Sequence, residues 1–164
     1  MRPTGTILEQ YLQYDPSSGE FVWRISRSAN AIRGQKAGSI TSDGYVQIYV
    51  DGSPFKAHIL AWVWMTGIWP DFEIDHADLN KTNNAWSNLR KSSRSENAAN
   101  CRKRRTNTSG YKGVCLCKRT GKWIAQIQVR RKCFRLGLFS SPEDAAAAYA
   151  LAADRHFGQF ARVS

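Results

Sequence analysis

Four polar side chains at fixed intervals within residues 72–102 are the strongest constraint on this chain. Asp75 and His76 end one short strand pattern, Asn88 opens a second, and Asn97 lies in a helical stretch. The hydrophobic pattern and the polar stretch between the strands predict the order strand, loop, strand, helix. The sequence therefore predicts that these four side chains lie on elements joined by short connections.

These residue types suit the hydrolysis of a phosphodiester. A histidine near its ordinary pKa can take a proton from water. Carboxylate and amide oxygens suit a hard divalent cation, which often keeps several of its waters. The side chains of neighbouring strand residues point to opposite faces, so Asp75 and His76 are expected to have different roles and not to bind the same metal ion together. Asp75 would hold the cation with Asn97 while His76 faces the water.

Charge narrows the class of partner. The 164 residues, enough for one domain or two small ones, include 24 Lys and Arg against 13 Asp and Glu, a net charge of +11. This excess favours a polyanion, either nucleic acid or an anionic membrane surface. The longest apolar run, residues 59–65, is far short of the roughly 20 residues that span a bilayer. No apolar segment typical of a signal peptide opens the chain, so we expect no membrane association and a location in the cytoplasm of the cell that makes the protein.

A basic polar stretch at residues 100–110 divides the chain. Residues 1–105 carry 14 basic and 10 acidic side chains, whereas residues 106–164 carry 10 basic and 3 acidic ones. We expect two domains, 1–105 and 106–164. Helices are predicted at 7–13, 58–66, 93–102 and 142–157, and strands at 21–25, 44–50, 55–58, 72–76, 88–91, 111–117, 122–130 and 133–139.

Residues 36–100 resemble the HNH endonucleases of phages and mobile introns. The motifs that carry the resemblance, in chain order, are Gly44-Tyr45, Ala57-His58, Gly67-Ile68-Trp69-Pro70, Ile74-Asp75-His76, Asn83-Asn84, Ser87-Asn88-Leu89-Arg90 and Ser95-Glu96-Asn97. The resemblance implies a ββα-metal finger, also called a His-Me finger.

In that family's arrangement, His76 is the general base, and Asp75 and Asn97 hold one Mg²⁺ or Mn²⁺ ion. Asn88 corresponds to the asparagine that fixes the loop and orients the base. Asparagine at the last position matches the subgroup that tends to nick. The chain departs from many relatives at Ile59, where they carry an arginine after the upstream histidine. His58 and His156 are expected to be structural.

Residues 109–162 resemble the plant Apetala2, or ethylene-response-factor, DNA-binding domain. The matching motifs are Ser109-Gly110-Tyr111-Lys112-Gly113-Val114, Gly121-Lys122-Trp123-Ile124-Ala125, Leu136-Gly137-Leu138-Phe139, Glu143-Asp144-Ala145-Ala146, Ala148-Tyr149 and Phe157-Gly158-Gln159-Phe160-Ala161. The resemblance implies a three-stranded antiparallel sheet packed on one helix, giving an α+β fold overall. Cys115, Cys117 and Gln128 stand where plant members often carry arginine, so the plant target sequence is not transferred.

Basic side chains in the linker and on the sheet are the candidate contacts to double-stranded DNA. They are Arg90, Lys91, Arg94, Arg102, Lys103, Arg104, Arg105, Lys112, Lys118, Arg119, Lys122, Arg130 and Arg135. The four cysteines, Cys101, Cys115, Cys117 and Cys133, allow either free thiols or a structural zinc site, although Cys-x-Cys is not the usual knuckle spacing.

Three functions are compatible with these patterns. The favoured one is a metal-dependent nicking or homing endonuclease that acts as a monomer and is targeted by residues 106–164. The alternative is a sequence-specific DNA-binding regulator whose nuclease half has decayed. An RNA-binding protein is disfavoured, because neither an RNP motif nor a KH loop is present.

Overall fold

The structure is a computed structural model that describes residues 2–163. The chain divides into two compact units, Met1–Lys91 and Ser92–Ser164. This division falls before the boundary expected at residue 105, because the helix that follows Ser93 packs within the second unit. Helices and strands are both present in each unit, so the fold is mixed α and β. Among residues 2–163, no helix is long and apolar enough to cross a bilayer.

From residue 2 onward, the described part of the first unit contains two α-helices and seven short strands, and the last strand ends one residue past the division. They are α1 Gly5–Tyr11, β1 Leu12–Asp15, β2 Glu20–Trp23, β3 Ser39–Ile40, β4 Val46–Val50, β5 Ser53–Lys56, α2 Ala57–Thr66, β6 Glu73–His76 and β7 Leu89–Ser92. Three sheets form, with the orders β1-β2, β3-β4-β5 and β6-β7.

The turn between β4 and β5 follows directly from its sequence. Asp51 and Gly52 have φ angles of 48° and 74°, the left-handed conformation that a tight two-residue hairpin requires. The hairpin predicted from Asp51-Gly52 is therefore confirmed. It delivers the chain directly into α2, whose side chains Leu60, Ala61 and Val63 are fully buried.

The core of the first unit lies between α1, α2 and the strands around them. Large, fully buried side chains in it include Leu8, Leu12, Phe21, Ile48, Val50 and Leu60. Burial of one such side chain stabilises a fold by about 1.5–3 kcal/mol. This core supports β6, whose Ile74 belongs to the same cluster. The strand β1 was not predicted, because a helix was expected to continue through residue 13.

The second unit contains two helices and one sheet. The elements are α3 Arg94–Asn100, β8 Val114–Leu116, β9 Trp123–Val129, β10 Lys132–Phe139 and α4 Pro142–Phe157. Helix α3 begins with a capping box in which Ser93 and Glu96 satisfy each other's backbone N–H groups. The sheet is antiparallel with the order β10-β9-β8.

Helix α4 packs against this sheet through small side chains. Ala145 and Ala153 are fully buried, and Tyr149 and Phe157 nearly so. The Ser141 hydroxyl accepts a hydrogen bond from the Asp144 backbone at 3.1 Å, and Pro142 occupies the first helical turn, as expected. Strand β8 covers residues 114–116, whereas a strand was predicted at 111–117. It is shorter because the side chains of Asn107 and Ser109 hold residues 107–111 in a hydrogen-bonded loop.

Candidate active site

Asp75 and His76 lie side by side at the end of β6 and are both buried. Asp75 is 3% exposed and His76 is 5% exposed. Burying a carboxylate or an imidazole is costly unless each finds a polar partner. The structure supplies a different partner for each group, as their positions on a strand predicted.

The partner of His76 is Asn84, in the loop between β6 and β7. Nε2 of His76 lies 3.2 Å from Oδ1 of Asn84. The residue Asn84 is itself buried, with 2% of its surface exposed. The amide nitrogen of Asn84 donates to the Thr82 carbonyl at 3.1 Å, so its oxygen is the atom that faces the ring. This contact favours the tautomer of His76 with its proton on Nε2, in which Nδ1 carries the basic lone pair.

Burial also keeps His76 uncharged near neutral pH. It lowers the pKa of His76 below its ordinary value of 6.5, whereas the hydrogen bond to Asn84 and the nearby Asp78 raise it. Burial is the largest of these effects. A neutral imidazole is the form that can accept a proton from water.

A second histidine packs against the first. The ring centroids of His58 and His76 are 5.1 Å apart, and the ring planes are nearly perpendicular. The centroid of the Tyr45 ring lies 5.1 Å from that of His58 and 6.0 Å from that of His76. His58 is buried, and its Nδ1 has no hydrogen-bond partner. Burial, followed by the charges of His76 and Lys56, lowers the pKa of His58 to about 3. His58 therefore stays neutral and fills space beside His76.

This buried histidine predicts a loss of stability in acid. Below pH 6.5 the unfolded chain protonates His58, but the folded chain does not until about pH 3, so stability falls as pH falls through this window. Between pH 7.5 and 5 the loss from His58 amounts to about 2 kcal/mol. Urea unfolding of His58→Gln should show that much less acid sensitivity than wild type. His156→Gln, at an exposed position, is the control, and equal acid sensitivity of wild type and His58→Gln would contradict the assignment.

Asn88 organises the loop that follows β6. Its side-chain oxygen accepts from the Asp78 backbone at 3.0 Å, and its nitrogen donates to the Asp78 carboxylate at 2.9 Å and to the Asn83 carbonyl at 2.8 Å. The loop-fixing role predicted for Asn88 agrees with these contacts. The base-orienting role predicted for Asn88 stays a prediction, and the structure adds Asn84, the residue next to Asn83, as a side chain that hydrogen-bonds the His76 ring.

The partner of Asp75 is Arg90 on β7. Both Nε and Nη2 of Arg90 donate to Oδ2 of Asp75 at 2.8 Å. The DNA phosphate contact predicted for Arg90 stays a prediction, and the structure shows that its guanidinium also pairs with a carboxylate inside the protein. The physical reason is that a buried carboxylate needs a paired cation.

The predicted cation ligands occupy different units. Asp75 belongs to the first unit, and Asn97 lies on α3 in the second. Within residues 2–163 no three His, Cys, Asp or Glu side chains form a metal-binding group, and the four cysteines are free thiols. The zinc alternative therefore lacks a ligand set there. The oxygen donors Asp75 and Asn97 have the chemistry that Mg²⁺ prefers, and their pairing stays a prediction.

Known proteins are similar to parts of this chain. A family profile described as HNH endonuclease matches residues 55–99. Protein 3.8 of Escherichia phage T7 is 33% identical over 108 residues, which cover 65% of this chain and 88% of that protein. The chain belongs to the family of phage T7 protein 3.8, and its residues 55–99 are similar to the HNH endonucleases.

The HNH homing endonuclease I-HmuI, solved in a study of DNA binding and cleavage, is also similar. It is 28% identical with a TM-score of 0.41, over 55% of this chain and 51% of I-HmuI, so the match spans about half of that protein. The HNH segment at 55–99 includes Asp75, His76, Asn88 and Asn97. It excludes β1 and β2 and almost all of the second unit.

Most of the predicted DNA contacts outside the HNH segment are exposed. The exposed set is Arg102, Lys103, Arg104, Arg105, Lys118, Arg119, Lys122, Arg130 and Arg135, joined within the segment by Lys91 and Arg94. Lys112 differs, because its ammonium group donates to the carbonyls of Ala99 and of Cys101 (the latter at 2.7 Å). Lys112 therefore caps the end of α3, and the DNA contact predicted for it stays a prediction.

One basic cleft was not predicted as a unit. It has a volume of about 370 Å³ and is lined by Arg102, Lys103, Arg104, Arg105, Asn107 and Arg162. Arg162 lies far along the chain from the linker, and its Nε donates to the Asn100 side chain at 3.3 Å. Five cations around one cleft form a surface suited to phosphate.

Proposed function

We propose that this protein is a metal-dependent DNA endonuclease that hydrolyses one phosphodiester bond per binding event. The observation that carries the proposal is His76, a buried neutral imidazole whose Nε2 is tied to Asn84 within an HNH endonuclease domain. A fixed tautomer with a basic Nδ1 is what general-base activation of water requires.

The chemical step assigns a role to each residue. His76 takes a proton from water at Nδ1, the water oxygen forms a bond to phosphorus, and the bond from phosphorus to the leaving oxygen breaks. Asp75 and Asn97 would hold one Mg²⁺ or Mn²⁺ ion, which supplies charge neutralisation at the phosphate and the leaving oxygen when bound. Arg90 keeps the Asp75 carboxylate oriented, and Asn88 keeps the loop closed.

Double-stranded DNA is the proposed substrate, and the second unit is the proposed targeting module. Its three-stranded sheet presents Arg135 beside Gln126 on neighbouring strands, both exposed. Such side chains can read base edges in the major groove. A single nuclease domain acting as a monomer favours a nick over a double-strand break.

A supercoiled plasmid tests the activity. Purified protein with Mg²⁺ should convert supercoiled DNA to relaxed circles, and a chelator should stop the conversion. Mn²⁺ should replace Mg²⁺. Tight DNA binding without nicking in either metal would favour the regulator with a decayed nuclease half.

Salt dependence tests the basic cleft as a DNA contact. Each phosphate contact contributes about 0.9 to the slope of log K against log salt. Arg104→Gln combined with Arg162→Gln should therefore lower that slope by about 2 in a fluorescence-anisotropy titration. Lys36→Gln, which removes a cation paired with Glu20 at 2.6 Å, should leave the slope unchanged. An unaltered slope in the double variant would remove the cleft from the DNA interface.

A further inference from the structure

A hairpin outside the HNH segment contacts the loop that holds His76. This hairpin consists of β1, β2 and the turn between them, residues 12–23. The hydroxyl of Tyr14 donates to the backbone carbonyl of Asn84 at 2.7 Å, and Tyr14 is 5% exposed. One residue thus joins the hairpin to the Asn84 that bonds the His76 ring.

One backbone hydrogen bond and one close backbone approach also join the hairpin to this loop. The Trp86 backbone N–H donates to the Pro16 carbonyl at 2.9 Å. Gly19 has a φ of +75°, and a Cβ placed there would lie 2.1 Å from the Ala85 nitrogen and 2.2 Å from the Asn84 carbonyl carbon. The turn of the hairpin therefore approaches the loop so closely that only glycine fits.

Tyr14 is itself held rigidly. Its ring stacks on Phe21 with centroids 4.7 Å apart and meets the edge of Trp64 at 6.4 Å. Burial, with the charge of Asp15, raises the pKa of Tyr14 to about 12, so its hydroxyl keeps the proton that it donates. A rigid donor on a rigid hairpin can fix the position of the carbonyl that it bonds.

We propose that the hairpin at residues 12–23 is part of the catalytic apparatus, with Tyr14 as a positioning residue that acts on His76 through Asn84. The proposal rests on the nuclease function proposed above. It extends the working active site beyond the HNH segment to the N-terminal part of the chain. Misplacing a catalytic group by about 1 Å through a change far from the chemistry can cost up to about 10²-fold in rate.

Tyr14→Phe separates positioning from simple packing, because it keeps the ring and removes the donor. We expect kcat for nicking to fall about tenfold, with KM and DNA affinity unchanged. Tyr49→Phe, which removes a hydroxyl from an exposed ring of the same unit, should match wild type. In an Asn84→Ala background, Tyr14→Phe should cause no further loss, since the link to the ring is already cut.

A spectroscopic measurement judges the proposal independently of nicking. In ¹⁵N-labelled wild-type protein, the His76 imidazole should give the signal of a single Nε2–H tautomer, and Tyr14→Phe should mix the tautomers or broaden that signal. An unchanged kcat and an unchanged imidazole signal would overturn the positioning role, even if the melting temperature fell. Absence of nicking by wild type would overturn the nuclease function, and the imidazole signal would still decide the role of Tyr14.

Discussion

His76→Ala is expected to slow Mg²⁺-dependent nicking by about 10²–10⁴-fold, the usual contribution of a general base. The loss should appear in the single-turnover rate, because alanine removes the only group on this side chain that can accept a proton from water. DNA affinity should not change, since His76 is buried beside His58 and Asn84 rather than placed on a cationic surface.

His156→Ala serves as the control for that variant. His156 is exposed on α4 in the second unit, and its ring lies near Phe134 and Phe157. Its replacement should leave the rate unaltered. If His76→Ala nicked as fast as wild type while binding DNA equally well, the assignment of the base would be wrong.

Arg90→Ala should destabilise the fold far more than the loss of a surface cation does. It would leave the Asp75 carboxylate, 3% exposed, without the guanidinium that now bonds it twice. Removing one partner of a buried ion pair costs about 3–5 kcal/mol, because the remaining charge stays desolvated. Urea unfolding monitored by tryptophan fluorescence would measure this loss.

The matched control is Lys36→Ala, which breaks an exposed ion pair with Glu20. Exposed pairs contribute at most about 1 kcal/mol, so this variant should stay close to wild type. In an Asp75→Asn background, Arg90→Ala should cost much less, because the neutral amide no longer requires a cation. Equal losses from Arg90→Ala in both backgrounds would show that Arg90 stabilises the fold through packing alone.

Local signals made much of the fold predictable. The Asp51-Gly52 turn, the Ser141-Pro142 helix start and the polar stretch between β6 and β7 each act over a few residues, so they can be recognised in sequence. The capped start of α3 at Ser93 was placed for the same reason. The burial of Asp75 and His76 follows from their position at the end of a short strand supported by Ile74.

Contacts over long sequence distances were not predictable. Tyr14 and Asn84 are 70 residues apart, and no local sequence pattern around either residue predicts their hydrogen bond. Arg90 and Lys112 are basic residues of the kind that contact DNA. In the structure Arg90 pairs with the Asp75 carboxylate, and Lys112 donates to backbone carbonyls at the end of α3. A basic residue looks the same in sequence whether its partner is a phosphate, a buried carboxylate or a helix end. The sequence did contain one indication that Asn84 matters, because Asn83-Asn84 is one of the motifs that resemble the HNH endonucleases.

Chemical rescue of a His76→Gly variant tests the central claim, that His76 acts as the base, most directly. Replacement by glycine removes the imidazole and leaves its space, so added imidazole can take up the lost role. We predict slow nicking by His76→Gly that rises with imidazole concentration, and no stimulation of wild type or of Asp75→Ala. Nicking by His76→Gly at the wild-type rate without imidazole, or equal stimulation of all three proteins, would contradict the claim.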